Sequence, residues 1–135
     1  YAHARDEVSA ENKVWMGNLP ERILFTHIGM RYAVIHGGAT DISRFIWPVT
    51  DDTAIAAEIA ALVVQVGDVD HVISGHSGIP MHRNIHGISW TNTGAIGLPA
   101  HDGSSLTHYG YLCEKEITMR IQRIRYLDKR NEIRT

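Results

Sequence analysis

"VISGHSGIPMHRNIHGISWTNTGAIGLP", residues 72–99, crowds three histidines and five glycines between short apolar runs. A metal site, a serine-hydrolase elbow and a set of tight turns with incidental histidines all suit that composition. The start of the stretch has a counterpart upstream. "AVIHGG" (33–38) and "VISGHSG" (72–78) are each a short apolar run that breaks at glycine and sets a histidine at or just past its carboxyl end. In α/β sheets the carboxyl ends of strands are where ligand-binding loops gather. Two neighbouring parallel strands would therefore bring His36 and His76 to one crevice. A parallel pair needs a crossover, and "DDTAIAAEIAALVVQVG" (51–67) supplies it. Ile55, Ile59, Leu62, Val63 and Val66 follow helical spacing, Asp and Thr precede them and Gly67 ends the run, which predicts a helix over 52–66.

The rest of the chain arranges itself around this unit. Ser9 is a suitable N-cap for a short helix with Val14 and Trp15 on its apolar side, ended by Gly17, Asn18 and Pro20. "RILFTHIG" and "MRYAVIHGG" read as two strands joined by a tight turn at Gly29, and "HVIS" (71–74) as a short buried strand. The loop "ATDISRFIWPVT" (39–50) is expected to be packed down by Phe45 and Trp47, and "GDVD" (67–70) reads as a helix-to-strand turn. From Met81 the period becomes two. "MHRNI" and "ISWTN" flank His86-Gly87 as a hairpin, and "THYGYLCE" and "ITMRIQRIRYL" flank Lys115 as another, with Ile117, Met119 and Ile121 alternating against Thr118, Arg120 and Gln122. The expected fold is α/β, one domain over residues 1–135, with a mixed sheet ending in antiparallel hairpins.

Composition narrows the function. A net charge of -2 gives no electrostatic reason for a nucleic-acid partner. Arg120, Arg123, Arg125, Arg130 and Arg134 are interleaved with Asp128 and Glu132, which reads as a solvated edge strand and tail rather than a phosphate track. No apolar run approaches the roughly 20 residues of a membrane span. The one cysteine, Cys113, excludes an internal disulfide and suits a reducing compartment such as the cytoplasm; it is expected to be a small buried hydrophobe in a strand. The opening "YAHARDEVSAENKVWMGNLP" has no initiating methionine, and the chain is expected to be a piece of a longer polypeptide.

Neutral imidazole offers a lone pair near pH 7, so His36 and His76 suit a metal. Two ligands hold a catalytic ion poorly, and manganese, iron or a metal pair requires carboxylates besides. The serine-hydrolase alternative joins His36-Gly37-Gly38, as an oxyanion loop, to Gly75-His76-Ser77-Gly78, as an elbow with Ser77 the nucleophile and Asp102 and His108 its partners. Two features oppose it. The last elbow glycine falls on Ile79, and "IPMHRNIHGISW" leads through Pro80 into an alternating hairpin where a helix is required. Asp41 and Arg44 follow His36 in the loop, where an arginine can meet a substrate phosphate. His27, His71 and His108 lie in or beside strands and read as structural, and His82 as a solvent-facing hairpin residue.

Taken in order, "LPERI", "AVIHGGATD", "VISGHSGIP", "TNTGAIGLPAHDG" and "HYGYLCEKEITMRIQRIRYL" resemble the C-terminal half of calcineurin-like metallophosphoesterases, especially the small bacterial and archaeal phosphatases. The second and third resemble the strand that ends in a metal-binding histidine and the Gly-His-Thr-His-x-Pro signature. The fourth resembles an Asn-Pro-Gly-Ser-Val-Gly-x-Pro segment, and the fifth a closing hairpin with an Arg-x-x-Tyr. The resemblance implies a four-layer αββα sandwich and two divalent ions, manganese, iron or zinc, that activate water for attack on a phosphate ester. His36 and His76 match ligands of one ion; Arg44, from its place in the loop after His36, is the candidate substrate contact, with solvation at the surface as the other reading. Gly75 and Gly94 match backbone that shapes the site, and Asn92 the residue that fixes the loop beneath it. The second signature histidine is Gly78 here, as it is absent from the serine/threonine protein phosphatases, and His82 is its nearest substitute. The family's upstream Asp-x-His, Gly-Asp-x-x-Asp and Gly-Asn-His motifs are not in these residues. The resemblance therefore implies a partner: the N-terminal half of the same protein or another chain, with self-association a further expectation. A catalytically degenerate relative is the competing expectation. Mono- and diesterases share these residues.

Overall fold

The computed structural model describes residues 2–113 and 119–125. Readings made above on Lys115, Ile117, Thr118, Tyr126, Asp128, Arg130, Glu132 and Arg134 lie outside them. Two short helices come first, α1 (Ala2–Glu7) and α2 (Ala10–Gly17). Ser9 caps α2 by accepting from the amide of Asn12 at 3.2 Å. Val14 and Trp15 do not serve as a buried face, because both are well exposed and α2 buries no residue.

The strands β1 (Arg22–His27) and β2 (Met30–Ile35) form an antiparallel hairpin whose two turn residues, Ile28 and Gly29, both have positive φ. The helix α3 (Asp52–Val66) then leads into β3 (His71–Ser74). Asp51 caps it, and the Thr53 hydroxyl and amide beside the Asp51 carboxylate hold that carboxyl below its usual range. Strands β4 (Met81–Ile85) and β5 (Ile88–Asn92) form a second hairpin. The five make one mixed sheet in the order β1-β2-β3-β5-β4, with β2, β3 and β5 mutually parallel. A separate two-stranded sheet follows, β6 (Leu106–Leu112) against β7 (Met119–Arg125).

Alternation along the strands gives the main sheet two unlike faces. Ala33, Ile35, Val72, Met81, Ile85 and Trp90 share one core with Ile55, Ile59 and Leu62 of α3. The only polar atom of the Trp90 ring donates to Ser74 Oγ at 2.8 Å. The opposite face is aromatic and polar. Phe25, Tyr32 and His71 are cross-strand neighbours whose rings stack at centroid spacings of 4.9 and 4.5 Å. On this side His27 bonds the carbonyl of Cys113 at 2.9 Å, and Thr107 and His108 of β6 are buried. Cys113 thus lies just past β6, partly buried, and serves through its backbone.

In the loop after β2 the buried anchor is Ile46, 1% exposed, while Phe45 and Trp47 remain 49% and 37% exposed. The aromatics do not pack the loop down; the residue between them does. "GDVD" forms the expected turn: Gly67 ends α3, and the Asp70 carboxylate accepts from the amide of Arg31 at 2.7 Å.

Candidate metal and phosphate site

The parallel pairing of β2 with β3 sets His36 and His76 side by side beyond the sheet's carboxyl edge, and the amide of Gly75 donates to the carbonyl of His36 at 2.9 Å. Nδ1 of His76 stands 2.9 Å from Nε2 of His36, with the ring centroids 4.7 Å apart. The structure therefore brings the two histidines together.

Three devices hold them. Gly37 and Gly38 let the loop fold back on itself: a Cβ at Gly37 would lie 2.5 Å from the carbonyl oxygen of Ile42, and one at Gly38 would lie 2.9 Å from Glu58 Oε2. That Glu58 carboxylate, buried on α3, accepts from the amides of Ala39 (2.7 Å) and Thr40 (2.9 Å) and from the Thr40 hydroxyl (2.7 Å), and pairs with Arg44 Nη1 at 3.0 Å. On the β3 side, fully buried Asn92 donates to the carbonyl of Gly75 (2.6 Å) and to Ser77 Oγ (2.7 Å), and accepts from the amide of Gly94 (2.8 Å). His76 itself sits at φ +62°, a left-handed backbone few L-residues adopt. Phe45 lies against its ring at 4.1 Å.

These distances test the fit of a divalent ion. The 2.9 Å between the two nitrogens is a hydrogen bond from one imidazole to the other, and it is also close to the roughly 3 Å that separates two nitrogens held about 2.1 Å from one ion at a right angle. A shared ion would displace the proton between them, and the pair would fill two of its positions. Among the described residues no group of three or more histidine, cysteine, aspartate or glutamate side chains could complete it. Glu58 is committed to the loop and to Arg44. His76 Nε2 is buried without a hydrogen-bond partner, where a metal-bound histidine ordinarily meets a carboxylate or carbonyl.

Gly75, Asn92 and Gly94 thus stand around this pair, and His82, Ser77 and Asp102 do not join it. Arg44 is near, but one of its nitrogens is taken by Glu58. His82 is exposed on β4 and bonds Thr91 Oγ1 at 2.8 Å, on the sheet face that carries His71. Ser77 is a turn residue whose hydroxyl accepts from Asn92, and the chain continues into strand β4, so no elbow forms. Asp102 accepts from the Ser104 hydroxyl (2.6 Å) and amide, which lowers its carboxyl from the usual range, and is exposed. Gly78 has φ +69° and only ordinary contacts around it.

Sequence reasoning missed Arg22 and Glu21. With His36, Gly38, Ala39, Thr40, Ile35 and Ile42 they line a cavity of about 230 Å³ beside the imidazole. Arg22 gets there through the hairpin register that sets it opposite Ile35. The signal was present: a two-residue turn after His27 fixes that register.

No family model matches the chain, and no curated protein matches it. Solved structures do. A hypothetical protein from Pyrococcus horikoshii OT3 superposes with a TM-score of 0.77 at 12% identity, over 96% of this chain and 50% of its own. A metallophosphoesterase from Sphaerobacter thermophilus superposes with a TM-score of 0.69 at 19% identity, over 90% of this chain and 54% of its own. The chain has the metallophosphoesterase fold, and spans about half the length of these two structures.

Proposed function

We propose that the protein is a metal-dependent phosphoesterase, a phosphatase or phosphodiesterase acting in the cytoplasm, to which this chain contributes part of a two-ion centre. The observation that carries the reading is the convergence of His36 Nε2 and His76 Nδ1 at the carboxyl edge of a sheet with this fold. Water oxygen attacks phosphorus, the bond from phosphorus to the ester oxygen breaks, and the alcohol leaves with a proton. When bound, the divalent ions, manganese, iron or zinc, polarise the phosphoryl oxygen and make water acidic enough to attack near neutrality. His36 and His76 would hold one ion, exchanging the hydrogen bond between them for coordination. Gly75, Asn92 and Gly94 fix the loop that aims His76. Arg22, which pairs with Glu21 at 3.3 Å, and Arg44, which pairs with Glu58, are the cations nearest the imidazoles that could meet the phosphate. Carboxylates come from outside these residues, on the same polypeptide or on a partner chain.

The test is metal analysis with turnover of p-nitrophenyl phosphate and its bis ester. Activity is expected to vanish on chelation, return with manganese and fall at least 100-fold in His76→Ala, with loss of bound metal, as expected when a ligand itself is removed. Full activity in His76→Ala would overturn the ligand assignment. Labelling of Ser77 by a fluorophosphonate, with indifference to chelators, would replace the reading by serine hydrolysis. Gly78, standing where the signature has its second histidine, favours one second reading: a relative that binds a metal or a partner without turnover. Retained metal with no hydrolysis of either ester would establish that reading instead.

A further inference from the structure

We propose that Phe45 and Trp47 form a shelf on which the organic group of the substrate stacks, so that the preferred esters carry a flat aromatic ring; this rests on the esterase reading above.

Three consecutive residues carry the inference. Ile46 enters the core at 1% exposure and anchors the loop, so burial does not require its neighbours. Phe45 and Trp47 instead lie parallel, with an interplanar angle of 0° and centroids 5.0 Å apart. Phe45 in turn packs on His76, and His76 on His36. An unbroken run of rings therefore leads from the imidazole pair to Trp47. Packing His76 needs Phe45 alone. Trp47, whose ring contact is with Phe45, extends the run away from the site.

The shelf is held rather than loose. The Trp47 amide donates to Thr50 Oγ1 at 2.8 Å, and the Thr50 amide donates to the Trp47 carbonyl at 2.9 Å. Arg83 of β4 donates to the carbonyls of Pro48 (3.0 Å) and Thr50 (3.1 Å) and pairs with Asp52. Single exposed apolar residues are ordinary. A parallel pair whose backbone is held by Thr50 and Arg83, next to the imidazole pair, is a surface already ordered for a planar partner, so little entropy is lost when one docks. Arg22 lines a cavity that His36 also lines. Phosphate at the imidazoles and ring on the shelf then fix the ester at both ends.

The test compares esters that share phosphate chemistry and differ in the ring: adenosine 5′-monophosphate against ribose 5-phosphate, and benzyl against cyclohexylmethyl phosphate. Turnover is measured with manganese, and affinity by calorimetry in EDTA-treated protein. The expected result is a preference of about ten-fold for the ring-bearing member of each pair, in kcat/KM and in affinity, which lies within the range of single-ring stacking. Trp47→Leu is expected to bring both ratios close to one, and Trp47→Phe to keep them. A preference in the first pair alone would narrow the ligand to nucleosides and still support the shelf. Equal affinity within both pairs, or ratios unchanged in Trp47→Leu, would overturn the shelf and leave the esterase reading standing. A ring preference in binding with no turnover of any ester would overturn the esterase reading and leave the shelf.

Discussion

His76 carries an imidazole on left-handed backbone, a conformation that costs an L-residue about 1–2 kcal/mol. The surroundings keep it there, and Asn92 contributes most directly. Its amide satisfies the Gly75 carbonyl before His76 and the Ser77 hydroxyl after it, while its oxygen holds the amide of Gly94. Asn92→Ala would leave partly buried groups unpaired on both loops. We expect it to lower stability by about 2 kcal/mol, seen as a lower urea midpoint, and to weaken metal retention as His76 loses its aim. Both histidines were legible in the sequence, because each follows an apolar run that stops at glycine. Arg22 was not singled out, since its nearness to His36 depends on counting register back through the turn at Ile28-Gly29.

At the scale of elements, α3 is more than a crossover. Through Glu58 it reaches past its own core face and organises the loop leaving β2, with two amides, one hydroxyl and Arg44 gathered on a single carboxylate. Removing it leaves these donors without an acceptor. Because the Arg44 side chain is 44% exposed, screening reduces the ionic share. Glu58→Ala is expected to cost about 3 kcal/mol, the low end for breaking a buried pair, and to speed proteolytic cleavage between residues 37 and 51. Glu58→Gln, which keeps an acceptor oxygen, should fall between. The helix boundaries were readable because capping residues and glycine bracket a helical period. The role of Glu58 was not, because one carboxylate on an apolar helix reads the same whether it faces water or a loop. Nor does periodicity operate within Phe45-Ile46-Trp47, so nothing local told which of the three turns inward.

Over the whole molecule the sheet separates an apolar face under α3 from an aromatic and polar one, and the second makes stability depend on pH. Burial holds the His71 imidazole below its usual pKa of 6.5; Asp70 opposes the shift and His82 adds to it. The folded state thus binds fewer protons at this site than the unfolded chain. Above pH 6.5 both states are neutral there and nothing is lost; as pH falls through 6.5 toward the lowered value, stability drops by at most one proton's worth per unit. Urea midpoints are expected to be flat above pH 7 and to decline below 6.5, with a shallower decline in His71→Phe. The mixed sheet, both of its hairpins and the parallel pair were legible from periodicity and turn residues, whereas the partition of faces needed the registers. That partition has a spectroscopic consequence. Tyr32 lies flat between Phe25 and His71, so the His71 ring protons sit in the shielding cone of a fixed aromatic current. Among nine histidines they are expected to show a displaced resonance, as is His76 on Phe45, through which protonation and loss of native packing can be followed separately in one titration.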